Sequence, residues 1–355
     1  MRDKSSKLEE KPDETSPGET ASGDISPAES SSDNWIQGAR YESEISISGR
    51  YILGKPSASY SQVPRIAKQP GKNAHRSDWT ADISNLGEIL VLAASMRGAD
   101  HYGFSTIRQD SFAIGCEGEA GDWVIAVIAD GVASAAQSHT FADYMARQAV
   151  LVIGRELSSS PIGALRDVKW NDVAKHLVDV SDEFCRIAAK RVLPEDKKSM
   201  VDEAIPRNFV SEFATTLEFA VVRAKNDDPA AEREFVHVAV AGDGAAYVLN
   251  KKLGWKTVKI GKRQSGAVAS NAVLALPLIP GEFIISFGQL QKEDCLILTT
   301  DGLGDFISDG NTELGGFFQD RLPNCESLPA FLQVADVSLY QAADDRTLIM
   351  IKGTD

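Results

Sequence analysis

The chain has 355 residues, enough to bury a sizeable hydrophobic core in one large domain or two small ones. Its 51 acidic residues outnumber its 37 basic ones, the formal net charge is −14, and no Lys/Arg-rich run offsets that charge, so we expect no nucleic acid partner. No apolar stretch approaches the roughly 18 residues of a membrane-spanning helix, and the N-terminus has no apolar signal core, so we expect a cytoplasmic protein without membrane contact.

The N-terminal part differs in composition from the rest of the chain. Residues 1–34 contain nine acidic, four basic and ten Ser or Thr residues, so burial cannot offset the entropy lost on ordering, and we expect a disordered acidic tail. Residues 35–78 combine aromatic residues with prolines and indicate a linker or a docking segment, a choice that the sequence leaves open. A folded domain is expected over residues 79–355.

Short runs rich in β-branched and apolar residues predict buried strands throughout this domain. The runs are Ile89–Ala94, Ser111–Gly115, Trp123–Ala129, Thr216–Arg223, Phe235–Ala241, Ala245–Asn250, Cys295–Thr300 and Thr347–Lys352.

Helices are predicted in blocks between these strands. Ser138 is expected to be the N-cap of a helix with an apolar face, a second apolar stripe runs from Trp170 to Ile187, and a third helix is predicted from Leu328 to Gln341. Clustered strands with blocks of helices favour a layered α+β fold over a parallel doubly wound sheet.

The four cysteines follow no zinc or redox spacing. They are Cys116, Cys185, Cys295 and Cys325. We expect buried thiols in a reducing compartment.

Aspartates occur where several of the predicted strands begin or end. Asp130, Asp243 and Asp301 each follow a strand run and precede a glycine, Asp110 precedes a short strand, and Asp344 lies just before the last one. One Asp-Gly pair normally indicates only a turn. Several carboxylates held at the rim of a core are typical of an oxygen-only site for a hard divalent cation.

These aspartates belong to six motifs. In chain order they are Gln109-Asp110, Ala129-Asp130-Gly131, Ala214-Thr215-Thr216-Leu217, Gly242-Asp243-Gly244, Thr300-Asp301-Gly302-Leu303-Gly304-Asp305 and Asp344-Asp345-Arg346-Thr347. Their order resembles that of the metal-dependent PP2C-type (PPM) serine/threonine protein phosphatases, over roughly residues 90–352, and the segment 98–110 is most similar to the bacterial branch. The resemblance implies an α-β-β-α sandwich, in which two antiparallel sheets are flanked by helices.

The resemblance also implies an activity, the hydrolysis of phosphoserine and phosphothreonine in proteins by a water that bridges two Mg²⁺ or Mn²⁺ ions. It assigns Asp130 to both ions, with the Gly131 carbonyl, Asp301 and Asp344 as further ligands, and Asp110 to ion-bound waters. Oxygen ligands without His or Cys suit these ions better than zinc. Asp130, Asp301 and Asp344 are the implied catalytic residues.

A weaker third ion is implied at Asp243 and Asp305, with help from Asp301. The other interpretation of these two acids, a hairpin turn residue and a helix-start cap, stays open.

Several positions depart from the family pattern. Val132 lies where many members have a histidine, and Ser105 lies where members often have a phosphate-binding arginine. Candidate replacements are Arg97 and Arg108 for the arginine, and His101 and His139 for the histidine.

Asp345 occupies the place of a family asparagine, so the choice between Asp344 and Asp345 as ligand stays open, although the spacing to Thr347 favours Asp344. The departures leave a second function open: a catalytically weak relative that binds a phosphoprotein or a kinase partner through the same cleft. The intact acids favour the enzyme. The sequence does not identify the substrate protein, a partner Ser/Thr kinase or the oligomeric state.

Overall fold

The computed structural model describes residues 35–45, 51–53, 77–104, 106–117, 122–159, 163–203, 207–225, 231–259, 274–277, 283–339 and 343–354. The acidic tail and most of the proline-rich segment before residue 77 lie outside the described residues, so their predicted disorder stays a prediction. Among the helices that the structure describes, none has both the length and the apolar content that crossing a bilayer requires.

Two large antiparallel sheets and one small sheet form the centre of the described part of the chain. The strands are β1 (Ser43–Ile45), β2 (Tyr51–Leu53), β3 (Trp79–Leu86), β4 (Ile89–Met96), β5 (Ser111–Glu117), β6 (Trp123–Ala129), β7 (Leu217–Arg223), β8 (Arg233–Ala241), β9 (Ala245–Asn250), β10 (Gly254–Lys259), β11 (Ile284–Leu290), β12 (Asp294–Thr299), β13 (Ser338–Leu339) and β14 (Arg346–Gly353). One large sheet has the order β10-β9-β12-β14-β4-β3 and the other β11-β8-β7-β6-β5, while β1, β2 and β13 form the small sheet.

Helices cover the outer faces of both large sheets. They are α1 (Ala99–Phe104), α2 (Ser138–Ser159), α3 (Trp170–Val192), α4 (Glu195–Glu203), α5 (Arg207–Glu212), α6 (Asp301–Ile307), α7 (Glu313–Arg321) and α8 (Leu328–Ala335). Helices α2 and α3 share a core with the five-stranded sheet, and α6, α7 and α8 share one with the six-stranded sheet. The predicted α-β-β-α sandwich is confirmed.

The predicted strand runs are continuously apolar because most of their strands are buried on both faces. In β6, Ile125 and Val127 point into the core beneath α2 and α3, whereas Val124, Ala126 and Ile128 point into the core between the two sheets. Successive side chains of a strand point to opposite faces, so a strand between two cores needs apolar residues at both.

The structure corrects two details of the predicted helices. Ser138 is the first residue of α2 and not its cap, since the Gln137 carbonyl accepts the N–H groups of Thr140 and Phe141. The third predicted helix ends at Ala335 instead of Gln341, because the chain then forms β13, which pairs with β2. Residues 340–342 lie outside the described residues.

The prediction that all four cysteines are buried is wrong at one position. Cys116 is exposed, whereas the other three are buried. Cys116 lies on β5, at the edge of the five-stranded sheet, and edge strands are covered less completely than central ones. Strands β3, β10 and β11 were not predicted. Strand β3 is an edge strand in which half of the residues are polar and none is fully buried, so it lacks the continuous apolar run of the central strands.

The described residues between 35 and 53 lie against the helical side of the six-stranded sheet. Ile36 pairs with Trp255 of β10, and the rings of Tyr41 and Tyr51 pack edge-on against Phe317 of α7 at 5.5 and 5.1 Å between centroids. These contacts cover part of the core formed by α7.

The N-terminal segment can pack this closely on α7 only where the helix has a glycine, because a Cβ on Gly316 would overlap the carbonyl group of Ala39. We expect Gly316→Ala to lower the free energy of unfolding by about 1–3 kcal/mol, a typical cost of overpacking. The matched control is Gly103→Ala in α1, where an added Cβ meets no atom within 4 Å. Denaturant unfolding and limited proteolysis of residues 35–53 are the measurements. Equal stability and equal cleavage of the two variants would contradict the close packing.

Candidate metal centre at the sheet rim

Asp110 connects three of the six motifs. Its carboxylate is buried, and its Oδ2 accepts hydrogen bonds from the Thr300 hydroxyl at 2.8 Å and from the Thr347 hydroxyl at 2.9 Å. Burial and the negative charges of Asp345 and Asp344 raise the pKa of Asp110 to about 7, although its hydrogen bonds oppose the rise. The first motif is therefore held in place by residues of the fifth and sixth.

The backbone of Asp130, directly after β6, is held by the third motif. Its N–H donates to the Thr216 hydroxyl at 2.9 Å, and its carbonyl accepts the Thr215 hydroxyl at 2.8 Å and the Thr216 N–H at 2.7 Å. The next residue, Gly131, forms a bridge with Thr215. The two threonines thus determine where the Asp130 side chain begins.

Four separate segments place their acids close to one another. Burial, followed by the charges of Asp110, Asp301 and Asp344, raises the pKa of Asp130 well above its usual range. The pKa of Asp344 is raised by partial burial and by the charge of Asp301, against a backbone hydrogen bond from Asp345. Carboxylates that repel one another in this way are a common feature of cation sites and of catalytic sites.

Asp344 and Asp345 have different surroundings. The Asp345 side chain is 2% exposed, accepts the N–H groups of Gly98 and Gln109, and lies 2.8 Å from Nδ1 of His101. The Asp344 side chain is 59% exposed, and its Oδ1 accepts the Asp345 N–H at 2.8 Å. Asp345 therefore holds loops together, whereas the carboxylate of Asp344 is accessible.

Asp301 is the first residue of α6, and Thr300 is the N-cap. The start of this helix lies directly against the last motif, since a Cβ on Gly302 would overlap the Asp345 carbonyl oxygen. Only glycine allows the two backbones to approach this closely. The approach brings Asp301 beside Asp344.

Asp243 and Asp305 lie on elements that pack together. Asp243 lies in the turn between β8 and β9, and Asp305 is on α6, whose Gly304 packs on Ala245 at the start of β9. Burial and the charge of Asp305 raise the pKa of Tyr247 in β9. Asp305 is the fifth residue of α6, so the interpretation of Asp305 as a helix-start cap is wrong.

The structure places the two candidate arginines inside the protein. Arg108 is buried, and its guanidinium donates to the hydroxyls of Ser95 and Thr80 and to the carbonyl of Asp110. Arg108 therefore stabilises the loop that carries Asp110.

Arg97 is also buried. It donates to Asp78 at 3.0 Å and to the His101 carbonyl at 2.8 Å, and it lies 4.4 Å from the centroid of the Tyr102 ring. His101, one candidate for the missing histidine, has its own contact with Asp345. Burial lowers the pKa of His101, but the Asp345 contact and the charges of Asp344 and Asp110 together raise it above its usual value. His139, on α2, lines a surface cleft with residues that include Arg108 and Ser111. Ser105 lies outside the described residues.

The donor chemistry of the site fits a hard divalent cation, although within the described ranges no three Asp, Glu, His or Cys side chains are already grouped closely enough to hold one ion. The converging groups are carboxylate oxygens, which suit Mg²⁺ and Mn²⁺. Repulsion among Asp110, Asp130, Asp301 and Asp344 raises carboxylate pKa values, and a cation between them would relieve that repulsion.

Sequence reasoning missed the residues that hold these acids. Four threonine hydroxyls within the motifs make these contacts. Those of Thr215, Thr300 and Thr347 donate, whereas that of Thr216 accepts the Asp130 N–H. A threonine near the aspartates was therefore an available signal. It also missed the buried cluster of Glu218, His237 and Lys259, which no pattern in the sequence indicates.

Comparison with known proteins adds independent support. A family model described as protein phosphatase 2C matches residues 97–336. No curated protein matches the chain. A serine/threonine phosphatase of S. agalactiae is similar, with a TM-score of 0.50 and 12% identity over 75% of this chain and 99% of that chain. Serine/threonine phosphatase Stp1 of Staphylococcus aureus has a TM-score of 0.48 and 12% identity, over 80% of this chain and 100% of its own.

At 12% identity the S. agalactiae structure indicates the fold alone, whereas the family model covers more than half of the chain. The motif order, the sandwich and the rim of carboxylates lead to the same result. The chain belongs to the protein phosphatase 2C family of serine/threonine phosphatases.

Proposed function

We propose that this protein hydrolyses phosphoserine and phosphothreonine in protein substrates with the help of two Mg²⁺ or Mn²⁺ ions. Asp130 would contact both ions, the Gly131 carbonyl, Asp301 and Asp344 would complete the ligand set, and Asp110 would hold ion-bound waters. The observation that carries the proposal is the convergence of Asp110, Asp130, Asp301 and Asp344, in which neighbouring negative charges raise the pKa values of Asp110, Asp130 and Asp344. When bound, the ions would acidify a water and neutralise charge on the phosphoryl group.

The protein itself supplies rigid placement of these acids. Two threonine hydroxyls orient the Asp110 carboxylate, and Thr215 and Thr216 hold the backbone of Asp130. Buried Asp345 keeps the adjacent Asp344 at the surface of the site. Residues that orient metal ligands in this way commonly change metal affinity or activity by ~10–100-fold when they are substituted.

The second candidate function is a catalytically weak module that binds a phosphorylated protein or a kinase partner. The observation that favours it is that Arg97 and Arg108 both donate hydrogen bonds inside the protein instead of facing a substrate. Measured turnover decides between the two functions. Hydrolysis of para-nitrophenyl phosphate and of a phosphothreonine peptide with Mn²⁺, and its loss with a chelator, supports the enzyme.

The first variant to test is Asp130→Asn, which keeps the side-chain shape and removes the charge. We expect turnover to fall by more than ~100-fold, because Asp130 would contact both ions. The matched control is Asp172→Asn on α3, where the carboxylate is exposed and pairs with Lys175. Steady-state rates at saturating Mn²⁺ and thermal unfolding of both variants are the measurements. Wild-type turnover in Asp130→Asn would rule out its assignment.

Asp344 and Asp345 are distinguished by a pair of asparagine variants. Asp345→Asn should lower the free energy of unfolding by about 1–3 kcal/mol. Both carboxylate oxygens of Asp345 accept hydrogen bonds, and the NH₂ group of an asparagine would face one of those donors without being able to accept from it. Asp344→Asn should leave stability unchanged and remove most of the Mn²⁺-dependent turnover. Unfolding curves and rates of the two variants are the measurements. The opposite assignment of the two acids follows if Asp345→Asn is the stable and inactive variant.

The third-ion role of Asp243 and Asp305 is tested by Asp243→Ala, Asp305→Ala and the double variant. If both acids hold one weak ion, each single change should lower turnover strongly and the double change should add little, because either one empties the same site. Calorimetric Mn²⁺ titration should show that the tight pair of ions still binds. Unchanged rates in both single variants would instead leave Asp243 as a turn residue.

A further inference from the structure

A cluster of three ionisable side chains is buried between the two sheets. Glu218, His237 and Lys259 have exposed side-chain fractions of 1%, 0% and 4%. One carboxylate oxygen of Glu218 contacts Nζ of Lys259, and the other lies 3.1 Å from Nε2 of His237. Burying such groups carries a large desolvation cost, and replacement of a buried ion pair by apolar residues is often neutral or stabilising. Stability alone is therefore a weak reason for this cluster.

The cluster spans the place where the chain passes from one sheet to the other. Glu218 is on β7 and His237 on β8, both in the five-stranded sheet, whereas Lys259 is on β10 in the six-stranded sheet. Strand β8 continues into β9 of the six-stranded sheet through the turn Gly242-Asp243-Gly244. The cluster therefore lies beneath the turn that carries Asp243.

A β-bulge brings Lys259 to this position. Thr257 pairs with Tyr247, but Lys259 pairs with Ala246, so Val258 is the extra residue in β10. Side chains alternate along a strand, and an inserted residue reverses the faces that follow it. Lys259 consequently points to the same side as Val248, into the space between the sheets.

Lys259 holds the backbone on both sides of Asp243. Its Nζ donates to the Gly244 carbonyl at 2.8 Å and to the Gly242 carbonyl at 3.3 Å, in addition to Glu218. A Cβ on Gly244 would lie 2.9 Å from the Glu218 carboxylate and 2.9 Å from the Thr299 carbonyl oxygen. The turn therefore has little freedom to move away from this cluster.

The same turn also touches the segment that holds Asp130. A Cβ on Gly242 would overlap the Thr216 side chain, and the Thr216 hydroxyl accepts the Asp130 N–H. Burial raises the pKa of Glu218, but Lys259 and His237 lower it by more, so Glu218 stays ionised at neutral pH. A continuous set of contacts thus runs from Lys259 through the turn to the backbone of Asp130.

We propose that Lys259 is a positioning residue, which fixes the Gly242-Asp243-Gly244 turn through its two carbonyls and so orients Asp243 toward a weakly held divalent cation. The inference rests on the proposed third ion, and it deepens the proposed function of the site. In this interpretation Glu218 keeps the Lys259 ammonium in place.

The test compares Lys259→Met with Lys252→Met in the full chain. Methionine keeps the length of the side chain and removes the charge, and Lys252 is a control because it is 74% exposed and pairs with Glu293 at 3.0 Å. Amide hydrogen exchange across the turn is measured without metal, and Mn²⁺ affinity is measured by calorimetry. We expect Lys259→Met to speed exchange at the turn and to weaken the weak Mn²⁺ site, each by about tenfold, with the tight pair unchanged. Lys252→Met should match the wild type.

A lower melting temperature of Lys259→Met, with unchanged exchange at the turn and unchanged weak-site affinity, would overturn the proposal and leave Lys259 a purely structural residue. A wild-type protein that binds Mn²⁺ only at the tight pair would overturn it as well. If Lys259→Met does not fold, Glu218→Gln replaces it, with the same expected changes in the same direction. In the Asp243→Ala background, Lys259→Met should not weaken Mn²⁺ binding any further.

Failure of the proposed function can be distinguished from failure of the inference about Lys259. Exchange and metal binding do not depend on turnover, so a wild-type protein that binds a weak third Mn²⁺ ion but does not hydrolyse phosphate esters would contradict the phosphatase proposal and still support the role of Lys259.

Discussion

Mutual repulsion among aspartates at one rim of the sandwich is the constraint on which the rest of the site depends. Asp110, Asp130, Asp301 and Asp344 come from four separate segments, and negative charges within this group raise the pKa values of Asp110, Asp130 and Asp344. Such a cluster persists only where rigid elements hold it and where donors or a cation offset the charge. The fold provides the rigid elements and the donors, and the carboxylate chemistry of the acids suits a hard divalent cation.

The rigid elements are the ends of buried strands. Strands β6 and β12 are interior strands of their sheets, and each ends immediately before the segment that carries Asp130 or Asp301. Their apolar side chains fill two cores, so neither strand end can move without disturbing the packing on both faces. Threonine hydroxyls then orient Asp110 and hold the backbone of Asp130. Packing and polar positioning therefore act on the same few residues.

Electrostatic pairing extends below the rim into the space between the sheets. Glu218 joins β7 to β10 through Lys259, and the turn that carries Asp243 lies on this pair. The buried charges there connect two sheets whose facing surfaces also share an apolar core. Buried charges therefore occur in two arrangements. Carboxylates repel one another at the rim, and beneath them the charge of Lys259 offsets that of Glu218.

The sequence by itself determined most of the fold and the identity of the acids. Two-sided burial produces continuous apolar runs, and the order of short motifs is visible without coordinates. Only the tertiary structure decided the roles of the residues around these acids. It showed that Asp345 is buried whereas Asp344 is accessible, and that Arg97 and Arg108 lie inside the protein. It also showed that a bulge directs Lys259 inward. These features depend on contacts between segments far apart in the chain, and local residue patterns do not indicate such contacts.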